Sequence, residues 1–189
     1  MATLIPFSAL RPTPEAASRV AAVPYDVVDA AEARALAAGN PLSFLHVSRA
    51  EIDLADSVNP YSDEVYARAV SNFVGLRSAA PLVVEDTPSL YVYRLRMGHH
   101  VQTGIAGTFS VDEYERDVIK KHEKTRRDKE DDRTRHILEL RAQTGPVFLT
   151  YRASADVDAI VARTMSGAPL FDFTAVDNVV HTIWKVSTN

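Results

Sequence analysis

One polar run limits where this chain can bury a helix. The run is KKHEKTRRDKEDDRTRH, Lys120 to His136, and its seventeen residues include no apolar side chain. A helix that packs against a core shows apolar residues every three or four positions, and this run shows none. Its eight Lys and Arg against five Asp and Glu make it locally basic. The run therefore predicts either a solvated surface or a surface whose charges meet an anionic ligand.

The composition sets broad limits on the class of protein. Of 189 residues, 46% are hydrophobic and 24% charged, which suits one globular domain with an ordinary core. Cysteine is absent, which excludes disulfides, thiolate nucleophiles and Cys-ligated metals. The net charge of −4 argues against strong binding to nucleic acid. Neither a long apolar stretch nor a secretory signal is present, so we expect no membrane span and a cytoplasmic protein.

Strand and helix signals follow one another irregularly, which indicates an α+β or mixed α/β fold. Asp29 is expected to cap an Ala-rich helix, and residues 90–109 give the clearest hairpin pattern. A long charged helix is expected over about 112–141, and a buried strand over 147–152. These elements predict a single domain over residues 1–189 with a mixed sheet.

If the polar run is helical, one of its faces is rich in basic side chains. That face, at positions i, i+4, i+7, i+11 and i+14, carries His122, Arg126, Lys129, Arg133 and His136. Like charges in such a row repel one another unless anions lie opposite them. The anion could be a phosphate, a nucleic-acid backbone or an acidic partner. The alternative, typical of helices with mixed charges, is a solvated face without any ligand.

Other polar positions give weaker indications. Asp26 lies at a predicted strand-to-helix junction, where it either serves a site or makes a turn. His46 and Asp53 belong to an alternating polar set, but their spacing fits no metal motif, and no metal site is expected. Gly104 and Gly107 form no dinucleotide fingerprint and indicate a bulge or bend more than a ligand contact.

Six blocks spread over nearly the whole chain resemble the bacterial and archaeal family numbered 1015 among domains of unknown function. Members of that family have often been labelled as similar to the chromosome-partitioning ParB proteins. The ParB superfamily includes sulfiredoxin and free-serine kinases that use nucleotides, and members often lie beside serine-biosynthesis genes. The resemblance thus implies a link to phosphoserine metabolism. The blocks are PYDVV (24–28), NPLSFLHVSRAEID (40–53), QTGIAGTFSVDEYE (102–115), IKKHEKTRRDKEDDR (119–133), TGPVFLTY (144–151) and HTIWKV (181–186).

The resemblance also implies a continuation after Asn189. Family members usually extend well past the HTIWKV strand and then carry an Asp-Gly-His-His-Arg block that looks like a phosphate-binding motif. The chain is therefore expected to be the N-terminal portion of a longer family member, with part of its site missing.

Three functions are open at this point. The first is a nucleotide-dependent phosphotransferase acting on a small hydroxyl substrate such as serine, with ATP or ADP and Mg²⁺ as cofactors. In this hypothesis Glu123 or Asp26 is the general base, and His122 positions the substrate or donates a proton. The phosphate-binding residues would be Lys121, Lys124, Thr125, Arg126, Lys129 and Arg133.

The second function is a ParB-like module that binds a nucleotide or nucleic acid. The net charge and the absence of a helix-turn-helix pattern argue against the nucleic acid. The third is a non-catalytic structural or oligomerisation domain, in which the charged helix contacts a second copy in a homodimer. The partner is thus a small molecule or nucleotide in the first hypothesis and a protein in the third.

Overall fold

The structure, a computed structural model, describes residues 2–80, 82–122 and 125–186. The chain divides into two compact units, and each unit is assembled from separate segments of sequence. Unit 1 comprises residues 1–14, 83–124 and 149–189, and unit 2 comprises residues 15–82 and 125–148. Among the described residues, no helix is both long enough and apolar enough to cross a membrane.

The elements confirm a mixed α/β fold. In the described part of the chain, the strands are β1 (Leu4–Ile5), β2 (Leu10–Arg11), β3 (Val83–Val84), β4 (Tyr91–Met97), β5 (His100–Ala106), β6 (Thr108–Phe109), β7 (Phe171–Thr174) and β8 (Val180–Lys185). The helices are α1 (Pro14–Val20), α2 (Ala30–Ala37), α3 (Leu45–Ser48), a 3-10 helix (Ala50–Asp53), α4 (Asp63–Ala79), α5 (Val111–Glu115), α6 (Arg127–Leu140) and α7 (Ala155–Met165).

Unit 1 is built around a four-stranded sheet with the strand order β5-β4-β8-β7. The hairpin predicted over residues 90–109 is confirmed, since β4 and β5 pair from Tyr91 with Ala106 to Met97 with His100. The expected mixed sheet is wrong, because every neighbouring pair of strands is antiparallel. Tight connections join β4 to β5 and β7 to β8, and connections that short return a strand only in the opposite direction.

Unit 2 is helical, and α4 forms its centre. One face of α4 buries Val65, Ala69 and Phe73, as the period of 3.6 residues requires. Helices α3 and α6 and the 3-10 helix pack against α4, and α6 adds Leu140 to the same core. Asp29 caps α2 as predicted, because its side chain accepts a backbone N–H from the first helical turn. The second half of the polar run, which forms most of α6, is therefore held in place by packing within unit 2.

The continuous helix predicted over about 112–141 is wrong. The structure has two separate helices in this range, α5 and α6. The described residues between them, 116–122 and 125–126, are not helical. Asp117 has a positive φ of 57°, which turns the chain out of the helix. A helix without apolar side chains on one face is not stabilised by packing against a core. The polar run is therefore helical only in its second half, where α6 packs in the core of unit 2. In α6 the buried residues are His136 and Leu140.

The buried strand predicted at 147–152 is also wrong. The segment has no regular secondary structure, and the side chains of Val147, Phe148 and Tyr151 lie largely in solvent. A short apolar run indicates burial only where another element covers it. Here none of the described elements does so.

Candidate functional site

A cleft with a volume of about 400 Å³ lies in unit 2. Its walls come from α2, α3, the 3-10 helix, α4, α6 and the loop between the 3-10 helix and α4. The cleft is rich in charge and in tyrosine. Its charged side chains and histidine are Arg34, Arg49, Glu51, Asp56, Lys129, Asp132, Arg133 and His136, and its tyrosines are Tyr25, Tyr61 and Tyr66.

One face of α6 forms the basic wall of this cleft. Lys129, Asp132, Arg133 and His136 lie at i, i+3, i+4 and i+7, which places them one above another along a single helix face. The structure thus brings together two of the predicted phosphate-binding residues, Lys129 and Arg133. Three carboxylates balance part of this positive charge, Asp132 within the row and Glu51 and Asp56 elsewhere in the cleft.

Arg133 is held rigidly by two contacts. Its Nε and Nη2 donate hydrogen bonds of 2.9 and 2.7 Å to Asp132 Oδ2. Its guanidinium carbon lies 4.1 Å from the centre of the Tyr25 ring, which is a cation–π distance. A guanidinium fixed in this way loses little conformational entropy when it binds an anion.

Asp132 is fully engaged by neighbouring side chains. Its Oδ1 accepts a 2.7 Å hydrogen bond from the Tyr66 hydroxyl, and its Oδ2 accepts those from Arg133. Burial, reinforced by the hydrogen bond to Asp132, raises the pKa of Tyr66, so the phenol keeps its proton and remains the donor. Asp132 is therefore a fixed negative charge that orients Arg133.

Lys129 has no carboxylate partner among the residues that the structure describes. Its Nζ donates a 3.0 Å hydrogen bond to the Tyr61 hydroxyl and lies 5.6 Å from the centre of that ring. The hydrogen bond to Tyr61 raises the pKa of Lys129, so the ammonium group stays charged at any physiological pH. Its other two N–H donors have no acceptor among the described residues and can serve a ligand.

Two arginines form the other basic part of the cleft. Arg34 Nη2 lies 2.9 Å from Asp56 Oδ1, and Arg49 Nε lies 3.0 Å from Glu51 Oε1. Asp56 is itself exposed, so its pair with Arg34 contributes little stability and exchanges readily with solvent. The cleft thus holds four cationic side chains against three carboxylates, an imbalance that favours an anionic ligand.

His136 anchors this face of α6 to the core. Its Nε2–H donates a 3.0 Å hydrogen bond to the backbone carbonyl of Val47, which assigns the proton to Nε2. Burial lowers the pKa of His136 and outweighs the opposite effect of the hydrogen bond to Val47. The imidazole is therefore neutral at pH 7, and it fixes the position of α6 beside the cleft without adding charge.

The other predicted site residues of unit 2 lie outside the cleft lining. Arg126 precedes α6, and its guanidinium makes hydrogen bonds of 3.1 and 2.7 Å with Asp128 in the first turn. Thr125 is exposed beside it. Asp26 is exposed in the turn after Tyr25, so Tyr25 lines the cleft and the predicted base does not.

The predicted residues before Thr125 are not part of unit 2. Lys121 belongs to unit 1, where it pairs with Asp117 at 3.5 Å and lies 4.7 Å from the Tyr114 ring centre. His122 also belongs to unit 1 and is exposed. Glu123 and Lys124 lie outside the described residues.

Sequence reasoning missed Tyr61, Tyr66 and Arg34 as members of a site. Arg34 lies on α2, Tyr66 on α4 and Tyr61 in the loop that precedes α4, and nothing local in these segments differs from an ordinary amphipathic helix with a polar loop. Only tertiary packing places them around α6. Among the described residues there is no group of three or more His, Asp or Glu side chains placed to hold a metal ion.

A family model supports the resemblance seen in the sequence blocks. The model described as "Protein of unknown function (DUF1015)" matches residues 4–189. Searches of curated proteins and of solved structures returned no match. Since the family model covers almost the entire sequence, the chain belongs to the DUF1015 family of proteins of unknown function.

Proposed function

We propose that this protein transfers a phosphoryl group from a nucleotide to a small hydroxyl compound such as serine, and that the cleft of unit 2 binds the phosphates of the nucleotide. The observation that carries the proposal is Lys129. It is a charged ammonium group, held in the cleft by a tyrosine and not by a carboxylate of the described residues. Arg133 lies one helical turn further on the same face.

The arrangement suits phosphate because its cations are already in position. Arg133 is oriented by Asp132 and Tyr25, and Lys129 by Tyr61. In phosphoryl transfer the protein mainly positions the phosphates and stabilises their negative charge. Lys and Arg side chains held in fixed positions do both. A volume of about 400 Å³ suits a ligand of small-molecule size.

Mg²⁺ fits this cleft only as a companion of the nucleotide. Mg²⁺ is usually held by one or two carboxylates together with substrate phosphates. Glu51 and Asp56 are the carboxylates that would contribute here, and each is paired with an arginine. The ion would supply further neutralisation of phosphate charge. The roles of Glu123, His122 and Asp26 in the reaction remain predictions.

The test is nucleotide binding by two variants of α6. We expect wild-type protein to bind ATP or ADP in the presence of Mg²⁺ in isothermal titration calorimetry. Lys129→Gln is expected to weaken binding about tenfold or more, since a charge-assisted hydrogen bond contributes about 1.5–3 kcal/mol. Product formation is followed by mass spectrometry of phosphoserine after incubation with serine.

Arg127→Gln is the matched control for this experiment. Arg127 begins the same helix but lies outside the cleft and is almost fully exposed. Its substitution removes the same unit of charge and should leave the nucleotide affinity unchanged. Absence of nucleotide binding by the wild-type protein, or an equal loss in both variants, would refute the proposal.

A further inference from the structure

The four-stranded sheet of unit 1 has two edge strands, β5 and β7, which differ in how well they are protected. The outer backbone N–H and C=O groups of an edge strand can pair with another chain. β7 has only four residues and carries the exposed carboxylate of Asp172, two features that hinder such pairing. β5 is longer, with seven residues, and includes no Lys, Arg, Asp, Glu or Pro. The edge formed by β5 therefore lacks the charges and the proline that usually block a second strand.

The pairing of β4 determines which backbone groups of β5 point away from the sheet. The N–H of Val186 donates a 2.9 Å hydrogen bond to the carbonyl of Leu90, so the backbone groups of Leu90 face β8. Successive residues of a strand face opposite neighbours, so Tyr91 faces β5, where its partner is Ala106. The same alternation along β5 directs the backbone groups of every second residue outward, namely those of Val101, Thr103 and Ile105.

The outward groups of β5 are unpaired. In the part of the chain that the structure describes, no hydrogen bond links the backbone of Val101, Thr103 or Ile105 to another strand or loop. The side chain of Val101 is 52% exposed, and His100 and Gln102 are exposed as well. This edge is therefore open to solvent, and its N–H and C=O groups are available to a partner strand.

The sequence of β5 is complementary to itself when two copies run antiparallel. Thr103 is the middle residue, so a twofold axis at Thr103 aligns all seven residues of one strand with those of the other. Thr103 then lies opposite its own copy, and Val101 lies opposite Ile105. Thr–Thr pairs and pairs of β-branched apolar residues are favourable across strands, and no like charges lie directly opposite each other. The outward backbone groups would exchange about six hydrogen bonds in this register.

We propose that β5 is a homodimer interface, at which the outer edges of two copies pair antiparallel about a twofold axis at Thr103. The two four-stranded sheets then join into one continuous antiparallel sheet. Backbone hydrogen bonds fix the direction and the register of the pair, and contact between Val101 and Ile105 adds apolar burial. A single pair of strands makes a small interface, so the dimer is reversible and its population rises with protein concentration. This inference does not depend on the chemistry proposed for the cleft of unit 2.

Sedimentation velocity of the wild-type protein over a range of concentrations, compared with a proline variant, tests the interface. Thr103→Pro removes an outward N–H at the centre of β5 and leaves the hydrogen bonds to β4 in place. It is expected to weaken dimerisation roughly tenfold or more, because one hydrogen bond is lost from each copy and two proline rings meet at the axis.

Thr174→Pro is the matched control at the other edge of the same sheet. The N–H of Ala175 donates a 2.9 Å hydrogen bond to the carbonyl of Val179, so Ala175 faces β8. The N–H of Thr174, one residue earlier, therefore points away from the sheet, as that of Thr103 does. This variant makes the same chemical change and should alter the dimerisation constant by less than about twofold.

Single-cysteine variants report the register, because the chain has no cysteine of its own. In the proposed register Thr103→Cys places two thiols opposite each other, close enough for a disulfide. Val101→Cys lies on the same face of β5, but its two thiols would be about 14 Å apart along the strands, too far to be joined. With oxidised glutathione we expect disulfide-linked dimers of Thr103→Cys and none of Val101→Cys on a non-reducing gel. This readout depends on proximity alone, so it decides the question even if Thr103→Pro fails to fold.

A dimer that Thr103→Pro weakens and Thr174→Pro does not, and that Thr103→Cys cross-links, supports the inference. Wild-type protein that stays monomeric at every concentration overturns it. So does a dimer that survives Thr103→Pro, or one cross-linked by Val101→Cys and not by Thr103→Cys, because the copies then meet elsewhere or in another register. A monomer whose β5 amides become protected from hydrogen exchange only when a different protein is added assigns the edge to that protein, and also contradicts the homodimer.

Discussion

Gly107 shows how a single backbone position constrains unit 1. A Cβ placed on it would lie 2.5 Å from Leu4 Cδ1, 2.7 Å from Leu90 Cδ2 and 3.1 Å from the carbonyl oxygen of Ile5. Gly107 follows β5 directly, where β1 passes over the chain to pair with β6. The sequence predicts a bulge or bend at Gly107, and the structure shows in addition a close approach of Leu4, Ile5 and Leu90 to this position.

We expect Gly107→Ala to destabilise unit 1 by about 1–3 kcal/mol, the usual cost of forcing a group into a packed region. Gly104→Ala is the control, because Gly104 lies in β5 and a methyl group added there would meet nothing within 4 Å. That variant should change the free energy of unfolding by less than about 1 kcal/mol. Urea denaturation followed by circular dichroism measures both, and equal effects of the two substitutions would contradict the role given to Gly107.

For single residues, the basic side chains of the polar run show which positions the sequence predicts correctly. Sequence spacing placed Lys129, Arg133 and His136 on one helix face, and that is where they lie. It also placed Arg126 there, but Arg126 precedes the helix and turns toward Asp128. Helical spacing assigns residues to one face only within the helix itself, so the first residue of the helix must be known. A run without apolar side chains gives no sign of where the helix begins.

At the scale of elements, α6 begins without a favourable cap. Its N-cap is Arg126, whose side chain makes no capping hydrogen bond. Ser, Thr, Asp or Asn would accept a backbone N–H of the first turn, which an arginine side chain has no acceptor to do. The first turn of α6 is therefore held by tertiary contacts of its side chains, such as Lys129 with Tyr61.

We expect Arg126→Ser to stabilise unit 2 by about 0.5 kcal/mol. A serine cap contributes about 1 kcal/mol, and the exposed pair with Asp128 that is lost contributes less. Arg127→Ser, one residue into the helix, cannot cap and should give no gain. Thermal unfolding of the two variants side by side decides the matter, and a lower Tm for Arg126→Ser would argue against a helix start at Arg127.

The elements differ in how well the sequence predicts them. The β4–β5 hairpin has alternating strands around a tight turn, and the Asp29 cap has its partner three residues away, so local signals define both. The first residue of α6 and the exposure of residues 147–152 are decided by whether a segment remote in sequence packs against them, which local patterns do not show. The position of the Asp53 side chain likewise depends on a hydrogen bond from Asn72 of α4, which no local sequence pattern predicts.

On the scale of the whole molecule, the buried histidines link stability to pH. Burial lowers the pKa of His136 in unit 2 and of His181 in unit 1 below the ordinary value of 6.5. In the unfolded chain each histidine takes up a proton as the pH falls through about 6.5, while the folded form resists protonation to a lower pH. Each therefore contributes stability that is present above about pH 6.5 and is lost as the pH falls through the folded pKa.

We expect the free energy of unfolding to decrease between about pH 7.5 and pH 5.5. The slope is at most about 1.4 kcal/mol per pH unit for each histidine. His136→Gln keeps a donor for the Val47 carbonyl but has no proton to titrate. Urea denaturation across this range should show a smaller slope for the variant than for the wild-type protein, and an identical slope would contradict the buried, neutral state of His136.

The division of the chain into two discontinuous units also orders events during synthesis. After residues 1–14 of unit 1, residues 15–82 of unit 2 leave the ribosome, then residues 83–124 of unit 1, and only afterwards α6. Leu140 and His136, which close the core of unit 2, are therefore translated after the entire β4–β5 hairpin. Until then the side of α4 that packs against α6 is not covered, while α3 and the 3-10 helix already cover the rest of its apolar face. A ribosome that pauses after α4 has left the exit tunnel and before α6 has followed it leaves that side of α4 open to chaperones and to neighbouring nascent chains on the same messenger.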